Sequence, residues 1–378
     1  MSLSSNPFYS PALRMKSGEL EGVRQLAGDV SSCILPRFIV PPRNERDPSK
    51  PLLFEVEEMP DVSAALSTYW RGRPALIDSS YILDEYGRER MQRWLPQMFE
   101  RGHTYGAKPI PMAVLEDIGE AEAPAFKAAI SASQGIKFAI CVPSGDLVGP
   151  ESNVAMSMAL ERLGLAPEDC MVIADFGGTE FGDPHIVAPI IGFALESLQD
   201  FGRWQRIAFQ GTHYPEKNPA EHGSAELWPR NEWLAWRDAV RFDPTTAEHM
   251  MFGDYAADCS RMVFGSVGVS AIRHLRYTTG THWLVQRGAQ EGRADSVMRA
   301  VCHKIIESGH FAGTGFSAAD EYIYELAYGR KGPGSATTWR QLNTTHHLTQ
   351  VVADLAKVRG VVIAKSPEAA TEQFMLRV

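Results

Sequence analysis

A regular alternation of apolar runs and helical segments constrains this sequence more than any other feature. In the first unit, residues 9–40, an apolar run at 12–15 precedes a helical face at 20–27 and a second apolar run at 34–40. A helix between two buried strands is typical of a parallel pair, because a right-handed crossover packs the helix back onto the sheet. The first unit therefore predicts a strand, a helix and a parallel strand.

The alternation continues through the middle of the chain. Five further apolar runs, separated by helical segments, predict strands at residues 74–78, 109–115, 136–142, 170–175 and 206–210. The eighth strand is either 250–254 or 271–277, and the second of these also fits a hairpin with 283–286 around Thr279-Gly280. About eight βα units without a G-x-G-x-x-G turn favour a TIM-like (β/α)8 barrel over a doubly wound sheet.

The predicted domain organisation follows from this pattern. An α/β barrel is expected over residues 1–310, with a polar loop insertion near 214–230 and an inserted hairpin near 271–287. A C-terminal helical extension, residues 311–378, is expected to pack on the barrel. Three tryptophans are expected to attach the insertion to the barrel, with an exposed aromatic partner surface as the alternative: Trp228, Trp233 and Trp236.

Composition and charge exclude several classes of protein. The 378 residues are 44% hydrophobic and 22% charged, which is ordinary for a globular protein. The net charge of −9 argues against non-specific binding to nucleic acid or to an anionic membrane. Five scattered cysteines without a C-x-x-C pair indicate reduced thiols. With no apolar run near the roughly 18 residues that span a bilayer, and no signal-peptide pattern, a soluble cytoplasmic protein is predicted.

Polar residues at the ends of the predicted strands are the main candidates for chemistry, because barrel active sites lie at the carboxyl ends of the strands. They are Lys16, Arg37, Asp78, Glu116, Asp117, Asp175, Gln210 and Asp254. Carboxylates divide into an acid and a base when burial separates their pKa values, and a Lys or Arg binds phosphate or carboxylate. The structural alternative is that they cap helices and close turns. The predicted catalytic residues, if the protein is an enzyme, are Asp175, Glu116 and Asp78; the predicted ligand-binding residues are Lys16, Arg37 and Asp254.

Arginines gather around the predicted hairpin, with Tyr277 and Trp283 between them: Arg273, Arg276, Arg287 and Arg293. A planar cation beside aromatic rings suits a phosphate, a nucleotide or an acidic partner. Charges that protect an exposed strand edge are the alternative. Arg276 and Arg287 complete the predicted ligand-binding set.

The histidines and the short motifs predict neither a metal nor a cofactor. His346 and His347 fall within a predicted helix, where successive side chains point about 100° apart. We therefore expect one to face inward and the other outward. No metal-ligand spacing, nucleophile elbow or P-loop is present in the sequence.

Several stretches together resemble one family. Tyr9-Ser-Pro11 with Leu13, Lys16, Gly18 and Glu19 is similar to the Y-x-P-x-L-x-x-K-x-G-E opening of the phage "beta protein" family of prophages, phage satellites and bacterial defence loci. Further similar stretches are Ile34 to Pro36, Phe252 to Tyr255, residues 276–288, Phe316-Ser317 with Asp320 and Ile323, and Trp339 followed by His346-His347. The sequence departs from the family pattern at Arg37 and at Ala318-Ala319.

The resemblance implies a barrel-like fold and a role in phage immunity, in which a beta protein accompanies a toxic partner and restrains it. It implies no assigned catalytic residues. The leading hypothesis is therefore a protein that binds a partner encoded nearby and senses a small anionic ligand at the barrel mouth. The alternative is a barrel hydrolase or lyase acting on a phosphate- or carboxylate-bearing substrate, with Asp175 and Glu116 as acid and base and Lys16 or Arg276 as the anion clamp. Sequence-specific nucleic-acid binding is disfavoured by the net charge of −9.

Overall fold

The computed structural model describes residues 7–45, 52–54, 59–242, 250–261 and 273–361. The strands are β1 (Ala12–Arg14), β2 (Arg37–Ile39), β3 (Leu52–Phe54), β4 (Met59–Pro60), β5 (Pro74–Asp78), β6 (Lys108–Val114), β7 (Phe138–Pro143), β8 (Cys170–Asp175), β9 (Arg206–Gln210), β10 (Ala225–Pro229), β11 (Met250–Met251), β12 (His274–Thr278) and β13 (His282–Arg287). The helices are α1 (Ser17–Arg24), α2 (Gly28–Ser32), α3 (Val62–Tyr69), α4 (Ser80–Tyr86), α5 (Met91–Thr104), α6 (Ala123–Ala129), α7 (Pro150–Leu163), α8 (Pro184–Phe201), α9 (Asn231–Phe242), α10 (Ala294–Glu307), α11 (Ala318–Ala327) and α12 (Ala336–Arg359).

The central element is an eight-stranded parallel sheet in the order β1-β2-β5-β6-β7-β8-β9-β11. β11 supplies the eighth strand, because Met250 pairs with Ile207 of β9. Of the two predicted alternatives, 250–254 is therefore the sheet strand. Residues 274–278 form the hairpin with β13 instead, and residues 271 and 272 lie outside the described part of the chain.

The sheet curls into a half-barrel, and its first and last strands meet at a seam without forming a regular ladder. An isolated parallel bridge joins Tyr9 to Phe252. The N–H of Ser10 donates to the Phe252 carbonyl at 2.8 Å, and that of Ala12 donates to the Asp254 carbonyl at 2.7 Å. The predicted α/β class is confirmed, but a closed TIM barrel is not, because β1 and β11 have only three and two residues and the sheet stays open at this seam.

Both faces of the sheet are buried, which explains the uninterrupted apolar strands. In β8, Met171 and Ile173 belong to a cluster made by the inner faces of neighbouring strands. Their neighbours Cys170, Val172 and Ala174 belong to the larger cluster shared with the surrounding helices. Such a strand has no polar face, as expected for a parallel sheet covered on both sides.

A second, antiparallel sheet in the order β10-β13-β12 lies beside the first. Its strand β10 falls in the stretch 214–230, which was predicted to be a loop; that prediction was wrong for these five residues. Their exposed side chains show no alternation, so pairing with β13 creates the strand. The hairpin shares an apolar cluster with α10, α11 and the start of α12, including Tyr277, Met298 and Trp339. The predicted boundary at residue 310 remains a prediction.

Helix α12 connects the two sheets. A Cβ on Gly18 of α1 would lie 2.7 Å from the Arg340 Cβ, and one on Gly22 would lie 2.8 Å from the Thr344 Cβ, so glycines allow α1 and α12 to approach closely. Because α12 packs against α1, the hairpin and α11, His346 and His347 are both buried, at 1% and 0% exposed. The prediction that one of them faces outward was wrong.

Candidate functional site

The side-chain alternation of the strands brings three residues to the concave side of the sheet, near its carboxyl edge. Asp78 follows the inward-facing Leu76 by two positions, and Asp175 follows Ile173 in the same way. The same rule places Arg37 on the inner face, because it follows the inward-facing Leu35 by two positions; it begins β2 and pairs in register with Leu76 of β5. This edge of a parallel sheet is where ligands usually bind.

Arg37 bridges the two carboxylates. Its Nε and Nη2 donate to Oδ2 of Asp78 at 3.0 and 2.8 Å, while Nη1 donates to Oδ2 of Asp175 at 3.1 Å. Burial by itself raises the pKa of Asp78, but Arg37 and the hydrogen bonds from Ser80 outweigh it, so that pKa is lowered. Burial likewise acts to lower the pKa of Arg37, and its anionic neighbours raise it well above the ordinary value. The pair Arg37–Asp78 is therefore charged at neutral pH.

Asp175 is the member of this group that reaches solvent, with its side chain 16% exposed. Its Oδ1 accepts from the Gly177 N–H at 2.8 Å and from the Tyr255 hydroxyl at 3.0 Å, and its Oδ2 lies 3.4 Å from the Cys141 Sγ. Burial, followed by the Asp175 charge, raises the pKa of Tyr255 well above its usual value. Burial also raises the pKa of Cys141. Both groups therefore keep their protons and hold the carboxylate in one orientation.

A cavity of about 860 Å³ opens above Asp175. Its walls are the loops that follow β7, β8 and β9 and the segment after β11, and its volume lies within the range of small-molecule sites, about 300–1,000 Å³. Three carboxylates line it, from Asp175, Glu180 and Glu216. The cationic side chain in the lining, Arg261, lies 3.2 Å from Glu216. Burial lowers the pKa of His213, another lining residue, so this imidazole is neutral at pH 7. The cavity is thus acidic and suits a ligand that donates hydrogen bonds.

Two of the strand-end residues proposed to act together do not line this cavity. Lys16 forms an ion pair with Glu45 in a separate cleft beside α1 and α3. Glu116 lies in a 3-10 turn, Leu115–Asp117, after β6 and is not among the residues that line the mouth cavity. The structure therefore brings Asp78 and Asp175 together, but neither Lys16 nor Glu116 joins them.

The remaining predicted ligand-binding residues tie segments of the fold together. Asp254 is buried and accepts from the Tyr9 hydroxyl at 2.7 Å at the seam of the sheet. Arg276 lies 2.9 Å from Asp258 Oδ1. Arg287 donates to the Ala220 carbonyl at 3.0 Å. Each of these groups already has a protein partner close to the mouth.

Asp258 is a residue that the sequence patterns missed. Three guanidinium groups surround it, with the Nη2 of Arg14 at 3.3 Å, the Nη1 of Arg276 at 2.9 Å and the Nη1 of Arg340 at 2.6 Å. These charges outweigh burial and lower its pKa well below the ordinary value. No local spacing links the four residues. The one indication was that Tyr255, three residues earlier, closes a stretch that resembles the family pattern.

In the described part of the chain, no three or more His, Cys, Asp or Glu side chains are placed to share a metal ion. Among the same residues, every helix is too short or too polar to cross a membrane.

The fold and site define a parallel α/β protein with a ligand-sized acidic cavity at the carboxyl edge of its sheet. A family model described as "Beta protein" matches residues 9–353, and the chain belongs to that family. This agrees with the resemblance drawn from the sequence. No curated protein matches the chain.

Proposed function

We propose that this chain is a binding protein of phage immunity, which holds a protein partner on the outer surface of α7 and α8 and senses a small polar ligand in the mouth cavity. The observation that carries the proposal is a row of exposed apolar residues on α8, Ile186, Ile190 and Phe193, here called the α8 stripe. They are 67%, 55% and 58% exposed. Single exposed apolar residues are normal, whereas a contiguous row is typical of an interaction surface.

The α8 stripe lies on one face of its helix, because positions i, i+4 and i+7 share a face. His185 projects from a different side of α8 and lies 3.1 Å from Asp238 of α9. The stripe thus faces away from α9. On the preceding helix, α7, Val154 and Met158 are also exposed, at 59% and 44%.

Charge indicates the chemistry of the partner. The exposed charged residues on α7 and α8 are acidic: Glu151, Glu161, Glu196 and Asp200. Arg162, the arginine of α7, donates to the Ile118 carbonyl. A partner segment with an apolar stripe and basic flanks complements this surface. A second copy of the chain is disfavoured, since acidic rims would then face each other.

The cavity and the α8 stripe are directly connected. Residues 177–182 form part of the cavity wall, and Asp183 caps the N-terminus of α8 by accepting from the His185 N–H at 2.9 Å. Ile186 follows three residues later. A ligand that contacts this wall therefore acts next to the partner surface. The acidity of the lining favours a cationic or hydrogen-bond-donating ligand over the anionic ligand expected from the sequence.

The hydrolase or lyase alternative receives less support. A carboxylic acid that donates a proton at neutral pH needs a raised pKa. Arg37 instead lowers the pKa of Asp78, and Glu116 does not line the cavity with Asp175. The predicted acid and base are therefore not assembled at one place.

The test uses the purified product of the neighbouring gene as the probe in a surface-binding measurement. We expect Ile190→Ser with Phe193→Ser to weaken binding at least tenfold, and expect binding to weaken as salt rises. Leu227→Ser is the matched control, because Leu227 is also apolar and 45% exposed but lies on β10. Equal affinity of the double variant and the control would overturn the partner surface.

A further inference from the structure

We infer that a second cleft, separate from the acidic mouth cavity, binds an amphiphilic anion, meaning a phosphate or carboxylate group attached to an apolar body. The cleft has a volume of about 480 Å³ and lies between α1, α3, the segment after β2 and the first turn of α12. Its cationic end is formed by Arg14, Lys16 and Arg340. Its apolar walls include Leu20, Val40, Val62, Ala65 and Tyr69.

Arg14 gives the strongest argument for an anionic ligand. The residue is 8% exposed and lines the cleft. Its guanidinium has one ion pair, 3.3 Å from Nη2 to Asp258 Oδ2, and donates no hydrogen bond to the described residues. A guanidinium carries five N–H donors, and the ion pair with Asp258 leaves some of them available at the wall of the cleft. An anion in the cleft supplies acceptors for them.

The carboxylates of the cleft do not fill this role. Asp61 accepts from the Ala64 N–H at 3.1 Å and lies 2.9 Å from the Arg101 Nε, so it is occupied at the start of α3. Glu45 is paired with Lys16.

The charge count at the cationic end supports an anionic ligand. The described residues that line the cleft include three cations, Arg14, Lys16 and Arg340, and two carboxylates, Glu45 and Asp61. The balance of these residues is 3 − 2 = +1. This end of the cleft is thus positive in a protein whose net charge is −9, and the mouth cavity has the opposite preference.

The backbone adds donors at the same place. Ser17 and Gly18 open α1 and line the cleft, and Lys16 at the N-cap provides no side-chain acceptor for them. The N–H groups of a first helical turn favour an anion. The anionic group is therefore placed between Arg14, Lys16 and the start of α1, while the apolar body lies along Leu20 and α3.

The proposal is tested with 1-naphthyl phosphate, 1-naphthol and inorganic phosphate as probes in isothermal titration calorimetry of the full chain. We expect 1-naphthyl phosphate to bind at least tenfold more tightly than either of the other two, because only it uses both ends of the cleft. Equal affinity for 1-naphthol would show that the cationic end does not contribute and would overturn the proposal.

Two substitutions locate the binding. Lys16→Met is expected to weaken 1-naphthyl phosphate binding about tenfold, and Ala65→Trp is expected to abolish it by filling the apolar wall. Lys137→Met is the matched control, since Lys137 and Lys16 have side chains 32% and 34% exposed and each pairs with one carboxylate. Asp175→Asn, in the mouth cavity, is expected to leave the affinity unchanged.

An equal loss in Lys16→Met and Lys137→Met, or a loss in Asp175→Asn but not in Lys16→Met, would overturn the assignment. If Ala65→Trp fails to fold, Lys16→Met decides alone, because its partly exposed side chain is not needed for packing. A negative result for 1-naphthyl phosphate does not affect the proposal of a partner surface on α8, because that surface is tested with a different probe.

Discussion

The Nε2 of His347 lies 2.9 Å from Oδ2 of Asp254, so helix α12 is bonded to the residue that also joins the two edges of the parallel sheet. The other ring nitrogen of His347, Nδ1, lies 2.8 Å from the Thr278 hydroxyl on the hairpin. One buried imidazole thus contacts both sheets. His346, the preceding residue, connects α12 to α11, because its Nδ1 lies 3.1 Å from Oδ2 of Asp320.

The first prediction concerns this connection. His347→Ala is expected to lower the free energy of unfolding by about 3 kcal/mol, because the buried Asp254 carboxylate then loses a hydrogen-bond partner. Urea denaturation measures the loss. His282→Ala is the control, since His282 bonds the neighbouring Thr281 hydroxyl near the surface and should change stability by less than about 0.5 kcal/mol. A similar small change in both variants would contradict the role given to His347.

The second prediction concerns the arginine that bridges Asp78 and Asp175. Arg37→Met is expected to lower the free energy of unfolding by about 3–5 kcal/mol, because the buried Asp78 and the half-buried Asp175 then lack their cation. Arg37→Lys keeps the positive charge but not the planar guanidinium that bonds both carboxylates, so its free energy of unfolding should fall less than that of Arg37→Met. The control is Arg241→Met. Arg241 is 66% exposed and forms a surface ion pair with Asp238, so its replacement should lower the free energy of unfolding by less than about 1 kcal/mol. Chemical denaturation at pH 7 separates the three variants.

The third prediction is a pH dependence of stability that arises from Glu232. Burial raises the pKa of Glu232 to about 8. Between the unfolded pKa, about 4.5, and 8, the folded state holds a proton that the unfolded state has released, so the free energy of unfolding falls as pH rises through this window. Glu232→Gln is expected to remove the decline and to be the more stable protein at pH 8. Thermal melts from pH 5 to pH 8 test this, with the exposed Glu226→Gln as the control. Parallel pH profiles for wild type and Glu232→Gln would count against a protonated Glu232.

The fourth prediction concerns the contact between α1 and α12. Gly18→Ala gains about 1 kcal/mol of helix propensity but pushes a Cβ to 2.7 Å from the Arg340 Cβ. Overpacking of this kind costs about 1–3 kcal/mol, which exceeds the gain in helix propensity, so a net loss of stability is expected. Gly28→Ala is the control, because nothing lies within 4 Å of its added Cβ and it should be neutral or stabilising. Equal stability of the two variants, measured by thermal unfolding, would show that α1 moves away from α12 without cost.

Local patterns predicted the strands of the parallel sheet and placed Asp78 and Asp175 at the carboxyl ends of two of them. That inference worked because strand periodicity fixes the direction of a side chain once the end of the strand is known. It failed for Lys16 because β1 ends at Arg14, which places Lys16 at the N-cap of α1 instead of on the inner face. A difference of two residues at a strand end decides which cavity a side chain lines.

Features that depend on partners distant in the chain were not predictable in this way. Strand β10 exists because β13 pairs with it, and the burial of both His346 and His347 follows from the second sheet covering α12. The contacts of Asp258 with three arginines involve residues 14, 276 and 340, which no short spacing relates. Such groups become visible only when the fold is known.

The seam between Tyr9 and the segment around Asp254 has a consequence for the order in which the protein folds during synthesis. These two residues are 245 positions apart, and His347, which completes the connection, leaves the ribosome later still. The first strand therefore waits, without its second neighbour, until about two-thirds of the 378 residues have been translated. A nascent chain that stops before residue 250 would expose the edge of β1, and we expect such truncated products to require chaperones or to be degraded.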